Sequence, residues 1–311
     1  MRQKAYNFLV NKHRGISYRY HKMHDGSTRG KKYLSWLYLI WLNFAYYVLF
    51  CHYLDRAPGL EYYELKNINC NESESVAYLQ ENENLRVDRY IEKLEKYEII
   101  SFDIFDTLIF RPLAQPTDLF YFIGEKLGIV DFKNIRQWAE WSARMKCHLK
   151  NKHMEVNLYD IWKEVENDVG SMAKDGAKLE IDTELLLCYA NPFMLQVWNE
   201  LKKRDIPIIV VSDMYLPKSV IEEMLYKNGY TGYDKLYVSC EYGKNKALGT
   251  LFEVVKKDYP NKKIIHVGDN PHSDKVMAQK NGFATCQYPN VNKNMLLYRP
   301  FDMSYLVGSA Y

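Results

Sequence analysis

Several apolar, strand-like runs of this sequence end in side chains that can do chemistry. The polar side chains at these ends, and in one loop before a predicted helix, are Asp103, Asp106, Thr107, Ser212, Asp213, Lys246, Asp269 and Asp274. The carboxyl ends of parallel strands meet at one edge of a sheet, so such groups can converge. Each feature also has a purely structural explanation, because Asp, Ser and Thr commonly bond the backbone of turns and helix starts. Their joint occurrence, in order along the chain, favours a functional site.

The chemistry that these residue types predict is phosphoryl transfer. Carboxylates at Asp103, Asp269 and Asp274 would repel one another unless a cation lay among them. A hard divalent ion with oxygen ligands, most simply Mg²⁺, meets that requirement. A hydroxyl from Ser212 and an amine from Lys246 beside such a cluster would hold the charge of a transferring phosphoryl group. Asp103 is then the predicted nucleophile, forming an aspartyl-phosphate that water later hydrolyses.

The elements that must position these residues are predicted as alternating strands and helices, the pattern of a parallel sheet with crossover helices. Strands are predicted from 99 onward and at 206–211, 236–239, 264–267 and 284–287. Helices are predicted before or between them at 85–96, 193–204, 217–228, 246–257 and 273–280. Four further helical segments, near 117–128, 134–150, 157–168 and 178–189, separate the first two strands. The predicted fold class is α/β: a Rossmann-like parallel sheet with an inserted helical domain and an N-terminal hydrophobic helix.

These residues resemble the four motifs of the haloacid dehalogenase (HAD) superfamily, in the form with a helical C1-type cap inserted after the first strand. In order, the motifs are Asp103-Ile104-Phe105-Asp106-Thr107-Leu108, Ser212, Glu241-x-Gly243-x-x-Lys246, and Gly268-Asp269 with Asp274. The resemblance covers residues 99–290. The cap stretch from Arg136 to Arg144 further resembles HAD proteins associated with bacterial polysaccharide biosynthesis. That narrower likeness implies a small phosphorylated metabolite, such as a sugar phosphate or a glycan precursor, as the substrate.

The resemblance also implies a role for each matched residue. Asp103, Ser212 and Lys246 would be catalytic. Substrate would be bound by Thr107, Ser212, Asp213 and Lys246. The metal ligands would be Asp103, Asp269, Asp274 and the backbone carbonyl of Phe105. The implied reaction is Mg²⁺-dependent hydrolysis of a phosphate monoester.

One position departs from the pattern of HAD phosphatases. Their general acid/base is an aspartate two residues after the nucleophile, but here Phe105 holds that position and Asp106 follows one place later. General acid catalysis contributes ~10²–10⁴-fold, so a phosphatase without it would be slow or would favour good leaving groups. Asp106, a cap residue and water are the candidate proton donors.

The departure at Phe105 leaves alternatives open. Dehalogenases and phosphonate-cleaving members of the superfamily also lack this aspartate. Dehalogenases need no metal, whereas Asp269 and Asp274 are both retained here, and phosphonate cleavers need a cap lysine that forms an imine. A non-catalytic or weakly active HAD-like binding module is the alternative from a different class.

The N-terminal part of the chain differs from the remainder in charge. Residues 1–32 hold nine Lys/Arg and one acid, whereas no Asp, Glu, Lys or Arg occurs in 33–54. The apolar segment fits a membrane span, a helix lying in the membrane surface, or a helix packed on the catalytic body. Ser35, Tyr38, Asn43 and Tyr46 would form the polar face of a surface helix. We expect a cytoplasmic protein that associates with membranes through 33–54 and has no nucleic-acid partner.

A chain of 311 residues is long enough for about two domains. The predicted division is a basic arm (1–32), a hydrophobic helix (33–54), a connector and helix (55–98), a HAD-like core (99–111 with 193–290), a helical cap (112–192) and a C-terminal tail (291–311).

Overall fold

The computed structural model of the chain describes residues 9–10, 13–25, 32–55, 86–113 and 115–289. The predicted C-terminal tail, most of the connector and much of the basic arm lie outside these residues.

A five-stranded parallel sheet forms the centre of the fold. The strands in chain order are β1 (Ile99–Phe102), β2 (Ile109–Phe110), β3 (Tyr189–Ala190), β4 (Ile208–Ser212), β5 (Lys235–Val238), β6 (Ile264–Gly268) and β7 (Ala284–Gln287). The order of strands in the sheet is β5-β4-β1-β6-β7. Every residue of β1, β4 and β6 is buried, as expected for strands covered by helices on both faces. The predicted α/β class is confirmed, with β1 in the middle of the sheet.

Helices surround the sheet and fill the insertion between β2 and β3. In chain order they are α1 (Arg14–Asp25), α2 (Lys32–Tyr47), α3 (Val87–Leu94), α4 (Leu119–Leu127), α5 (Phe132–Asn151), α6 (Leu158–Val169), α7 (Gly176–Leu187), α8 (Pro192–Lys203), α9 (Lys218–Lys227), α10 (Ser239–Tyr242), α11 (Thr250–Asp258) and α12 (Ala278–Lys280). Helices α4 to α7 match the four predicted helical segments. Helix α6 begins where predicted because Asn157 and Asp160 cap it reciprocally, at 3.0 and 3.2 Å.

Two predicted helix boundaries differ from the structure. The helix predicted at 246–257 begins only at Thr250, because Gly249 has a left-handed φ of 79° and Asn245 accepts the Leu248 amide at 2.7 Å. Lys246 therefore lies in a loop and not at a helix end. The helix predicted at 273–280 is a π-helical turn over Pro271–Met277 that leads into α12.

The inserted domain joins the core through the antiparallel β2–β3 ladder, in which Ile109 faces Ala190. The buried Tyr230 hydroxyl donates to the Leu108 carbonyl oxygen at 2.7 Å and lies 3.1 Å from the Asn191 carbonyl oxygen. One core side chain therefore contacts the residues that enter and leave the ladder.

A buried ion pair holds the helices of the inserted domain together. Arg136 of α5 makes two bonds of 2.8 Å to the Glu180 carboxylate of α7, which also accepts the Trp162 indole N–H of α6 at 2.8 Å. The guanidinium carbon lies 4.7 Å from the Phe120 ring of α4 and 4.9 Å from the Tyr215 ring of the core. Burial opposes the charge on Arg136, but Glu180, Tyr215 and Glu140 together outweigh burial and raise the pKa of Arg136.

We expect Glu180→Gln to lower the free energy of unfolding by about 3 kcal/mol, because the buried Arg136 charge then keeps only its longer contact of 3.3 Å with the partly exposed Glu140. Urea denaturation measures the loss. The control is Asp182→Asn on the same helix, whose exposed side chain pairs with Lys178 at 2.6 Å and should change stability by less than about 0.5 kcal/mol. Equal midpoints for the two variants would contradict a stabilising role for the buried pair.

The N-terminal helices α1 and α2 form a hairpin with its own small core. The buried apolar residues of this core are Val10, Ile16, Tyr20, Leu39, Leu42, Ala45 and Leu54. Arg19 ties the two ends together by donating to the Gly15 and Leu54 carbonyl oxygens, both at 2.9 Å. Within the described ranges, the structure contains no helix with the length and apolar character needed to cross a membrane.

The predicted polar face of the apolar N-terminal segment is wrong for two of its residues. Ser35 and Asn43 are buried in the hairpin, at 0% and 7% exposure. They face inward because each finds a hydrogen-bond partner inside the hairpin, and α2 turns apolar side chains outward instead.

Candidate active site

Asp103 directly follows β1, at the centre of the sheet edge where the carboxyl ends of the strands meet. Its amide donates to the Val267 carbonyl oxygen of β6 at 2.9 Å, which continues the strand pairing by one residue. The Lys246 ammonium pairs with the Asp103 carboxylate and, at 2.7 Å, with that of Asp274. All three side chains are buried. The structure thus joins residues that are 143 positions apart in the chain.

Three buried carboxylates converge here. Asp103, Asp269 and Asp274 each offer an oxygen, and these oxygens all lie within 4.8 Å of one another. The backbone N–H of Asn270, at 3.0 Å, and the Lys246 ammonium hold the Asp274 carboxylate in place. The side chains that the sequence predicts as metal ligands are therefore adjacent.

A second layer of polar groups supports Asp274. The His266 ring lies 3.2 Å from the Asp274 carboxylate through Nε2 and 2.8 Å from the Ser101 hydroxyl through Nδ1. Burial lowers the pKa of His266, so the neutral ring donates to Asp274 through Nε2 and accepts from Ser101 through Nδ1. The sequence reasoning missed this pair. Its signal was a serine and a histidine inside strands that are otherwise apolar, and the sheet register places them side by side.

The site combines three acids with one base, and its electrostatics reflect that imbalance. Burial and the two neighbouring carboxylates raise the pKa of Asp103, although Lys246 opposes the rise. Burial alone would raise the pKa of Asp274, but Lys246 and His266 outweigh it and lower that pKa. Burial opposes the charge of Lys246, but Asp103, Asp274 and Asp213 together outweigh burial and raise its pKa. Lys246 is therefore a permanent cation at neutral pH.

The other predicted residues border this centre. The Thr107 hydroxyl lies 3.4 Å from the Asp103 carboxylate. Ser212 is the buried last residue of β4, which pairs directly with β1. Asp213 accepts the backbone amides of Lys246 and Ala247 at 2.7 and 3.2 Å. Its carboxylate thus holds the loop that carries Lys246, a task that the sequence motif does not reveal.

Phe105, in the acid/base position of the family pattern, packs against an arginine. The Arg111 guanidinium carbon lies 4.1 Å from the centre of the Phe105 ring, a distance typical of a cation–π contact. Two bonds of 2.8 and 2.9 Å link Arg111 to the Glu184 carboxylate of α7, and both side chains are buried. The phenylalanine therefore has a defined partner. Asp106, the neighbouring acid, has a left-handed φ of 58° and donates its amide to the Ile109 carbonyl oxygen at 2.9 Å.

Sequence reasoning missed Arg111 and Glu184. The only signal was an arginine directly after an apolar strand and two glutamates, at 180 and 184, that lie one helical turn apart on α7. Charged residues on a helix are usually solvated, so this spacing alone does not predict burial.

No protein-family model matches the chain, and no curated protein matches it by sequence. Solved structures similar to it include a HAD family enzyme from Bacteroides thetaiotaomicron (TM-score 0.47, 14% identity, 62% of this chain and 94% of that chain). A second is an L-2-haloacid dehalogenase from Xanthobacter autotrophicus (0.44, 13%, 61% and 77%). A third is a predicted phosphoglycolate phosphatase from Haemophilus somnus (0.43, 15%, 63% and 90%). The reaction of this chain is therefore assigned from the residues of its own site.

Proposed function

We propose that this chain is a Mg²⁺-dependent HAD-type hydrolase that releases phosphate from a small phosphorylated metabolite through an aspartyl-phosphate. The observation that carries the proposal is the charge balance of the buried cluster. Three carboxylates and one ammonium carry a net charge of −2 when all are ionised. Such a charge is costly in a buried site, and one divalent cation would offset it.

The donor set fits Mg²⁺ because all three candidate side-chain ligands are hard carboxylate oxygens. Asp103, Asp269 and Asp274 would hold the ion, and the backbone carbonyl of Phe105 would join them if the family pattern applies. Proton and metal compete for such ligands. Burial and the two neighbouring carboxylates raise the pKa of Asp103, and the same carboxylates would attract a cation. A bound Mg²⁺ would offset the negative charge of the phosphoryl group in the transition state.

The residues of the chain supply the covalent steps. A carboxylate oxygen of Asp103 attacks phosphorus, the bond from phosphorus to the leaving-group oxygen breaks, and that oxygen takes up a proton. Lys246 holds Asp103 in place, and Lys246, Ser212 and Thr107 stabilise the phosphoryl oxygens. Water then attacks phosphorus of the aspartyl-phosphate and gives up a proton, which balances the proton taken up by the leaving group. The bond from phosphorus to the Asp103 oxygen breaks, inorganic phosphate leaves, and the Asp103 carboxylate is restored.

We expect Mg²⁺ to raise the melting temperature of the wild-type protein by a few degrees, because an ion that binds only the folded state stabilises it. Asp269→Asn should lose most of this increase, since it removes one negative ligand. Thermal melts in MgCl₂ and in NaCl of equal ionic strength measure the effect, and EDTA should reverse it. Asp182→Asn, on the exposed side of α7, is the control and should keep the full increase. Equal shifts in the two variants would argue against a metal at this cluster.

For the substrate we propose a sugar phosphate or glycan precursor from the cytoplasmic pool of phosphorylated metabolites. The support is the resemblance of the stretch from Arg136 to Arg144 to proteins linked to polysaccharide biosynthesis. In the structure both arginines form ion pairs within the cap, Arg136 with Glu180 and Arg144 with Glu140, each at 2.8 Å. The stretch therefore stabilises the cap. The proposed substrate class is tested by measuring phosphate release from a panel of sugar phosphates and nucleotides.

A second candidate function is a weakly active or non-catalytic HAD-like module that binds a phosphorylated ligand. The packing of Phe105 against Arg111 favours it, because that position is adapted to a ring and not to an acid. Binding of Mg²⁺ and of a phosphate ester without turnover would support this candidate. A phosphonate-cleaving enzyme is a third candidate. Incubation with a phosphonate substrate tests it, because such an enzyme would release phosphate.

A further inference from the structure

The outward face of α2 is apolar along its whole length. Its exposed residues recur at three- and four-residue steps, which places them on one side of the helix. They are Tyr33, Leu37, Ile40, Trp41, Phe44 and, just past the end of the helix, Val48, each at least 49% exposed. A water-exposed helix carries polar residues on its outer face, so this face is adapted to other surroundings.

The inward face of the same helix carries the polar side chains. The Ser35 hydroxyl lies 2.7 Å from His24 of α1 and donates to the Lys32 carbonyl oxygen at 2.7 Å. Asn43 donates to the Leu39 and Leu9 carbonyl oxygens, both at 2.9 Å. Polar groups bonded inside and apolar groups outside are the arrangement of a helix that contacts hydrocarbon, where a polar group without a partner is costly.

The composition of the hairpin points to lipid as the apolar surroundings. Trp41 and Tyr33 are amphipathic aromatic residues of the kind that sit at the headgroup level of a bilayer. The preceding residues 1–32 carry a formal charge of +8, from nine Lys/Arg and one acid. A basic segment next to an apolar helix face is complementary to anionic lipid, because it adds electrostatic attraction to burial of the apolar face.

We propose that the α1–α2 hairpin is a membrane-surface anchor. It lies in the interface of an anionic bilayer with the outward face of α2 among the acyl chains, and the net positive charge of the segment 1–32 attracts it to anionic lipid. The Ser35 hydroxyl and the Asn43 side-chain N–H groups are already hydrogen-bonded inside the hairpin, so insertion of the outward face of α2 would not take these groups away from water. The anchor is independent of the catalytic assignment, because none of its residues belongs to the carboxylate cluster.

The test is flotation of the full chain with phosphatidylcholine vesicles, with and without phosphatidylglycerol. We expect the wild type to float with the anionic vesicles and to bind them less in high salt, which screens the basic residues. Ile40→Glu should weaken the partition coefficient about tenfold, because a carboxylate replaces a buried aliphatic side chain. The matched control is Tyr226→Glu, at a residue of α9 that is 76% exposed, and it should float like the wild type. Circular dichroism verifies that both variants are folded.

Two results would overturn the anchor. One is equal flotation of Ile40→Glu and wild type. The other is that the wild type stays in the vesicle-free fractions at low salt and sediments as a dimer, whereas Ile40→Glu sediments as a monomer. The second result would assign the outward face of α2 to another copy of this chain.

Discussion

Replacing Asp103 with asparagine should lower the rate of phosphate release by roughly 10⁴-fold or more, as loss of a catalytic nucleophile typically does. The amide has nearly the shape of the carboxylate but cannot form the aspartyl-phosphate. Lys246 keeps its second partner, Asp274, at 2.7 Å, so the fold should survive. Release of inorganic phosphate in the presence of Mg²⁺ measures the loss, on the substrate with the highest wild-type rate.

The control for Asp103→Asn is Asp182→Asn, the same chemical change at an exposed residue of the cap, which should keep wild-type activity. Acid quenching during turnover gives a second readout, because a phosphorylated protein should accumulate in the wild type and be absent in Asp103→Asn. Unchanged turnover in Asp103→Asn would exclude the proposed mechanism. Mg²⁺-dependent stabilisation without turnover in the wild type would instead favour the binding module.

Replacing Phe105 with aspartate should raise kcat by about 10²-fold at a pH low enough to protonate the new carboxyl, which is the lower end of the contribution of a general acid. The gain should be greater for alkyl phosphates than for aryl phosphates, because a poor leaving group depends more on protonation. The Arg111 guanidinium, 4.1 Å from the present ring, would lower the pKa of the introduced carboxyl. Since the acid acts only when protonated in this step, the gain should shrink as pH rises through that lowered pKa.

Phe105→Asn is the matched control, because it introduces a side chain of the same size as aspartate without a titratable proton. A pH profile of kcat for both variants on one alkyl phosphate separates acid catalysis from a change in packing. An equal gain in Phe105→Asn would contradict the acid/base explanation. A rate at or below wild type for Phe105→Asp, with the fold intact, would show that this position does not limit turnover.

The fold could be predicted largely because it depends on local patterns. The runs that became β1, β4 and β6 are apolar at nearly every position, and four amphipathic segments became α4 to α7. The start of α11 was misplaced because a glycine turn delays it to Thr250, and hydrophobic periodicity does not report a turn of that kind. The polar face expected for α2 was wrong because its polar residues bond inside the hairpin with α1.

The candidate site was predictable where a strand end displays a polar residue, as at Asp103 and Asp269. It was not predictable where a charge is buried by a distant partner. Arg111 and Glu184 are 73 positions apart, and Arg136 and Glu180 are 44 apart. Each residue alone resembles a surface charge, and only the packing of four cap helices shows that it lies inside.

The contacts of Tyr230 restrict how the inserted domain can move relative to the sheet. Its hydroxyl bonds the Leu108 carbonyl oxygen at 2.7 Å and lies 3.1 Å from that of Asn191, while Arg111 is bound to the cap through Glu184. On the strand that leads into the cap, only Ile109 and Phe110 lie between Leu108, which is bonded to the core, and Arg111, which is bonded to the cap. Opening of the cap for substrate entry would therefore be rotation of a rigid body about a two-residue ribbon, with Tyr230 as its pivot. Because the Arg111 guanidinium lies 4.1 Å from the centre of the Phe105 ring, that rotation would change the packing of a residue two positions after Asp103.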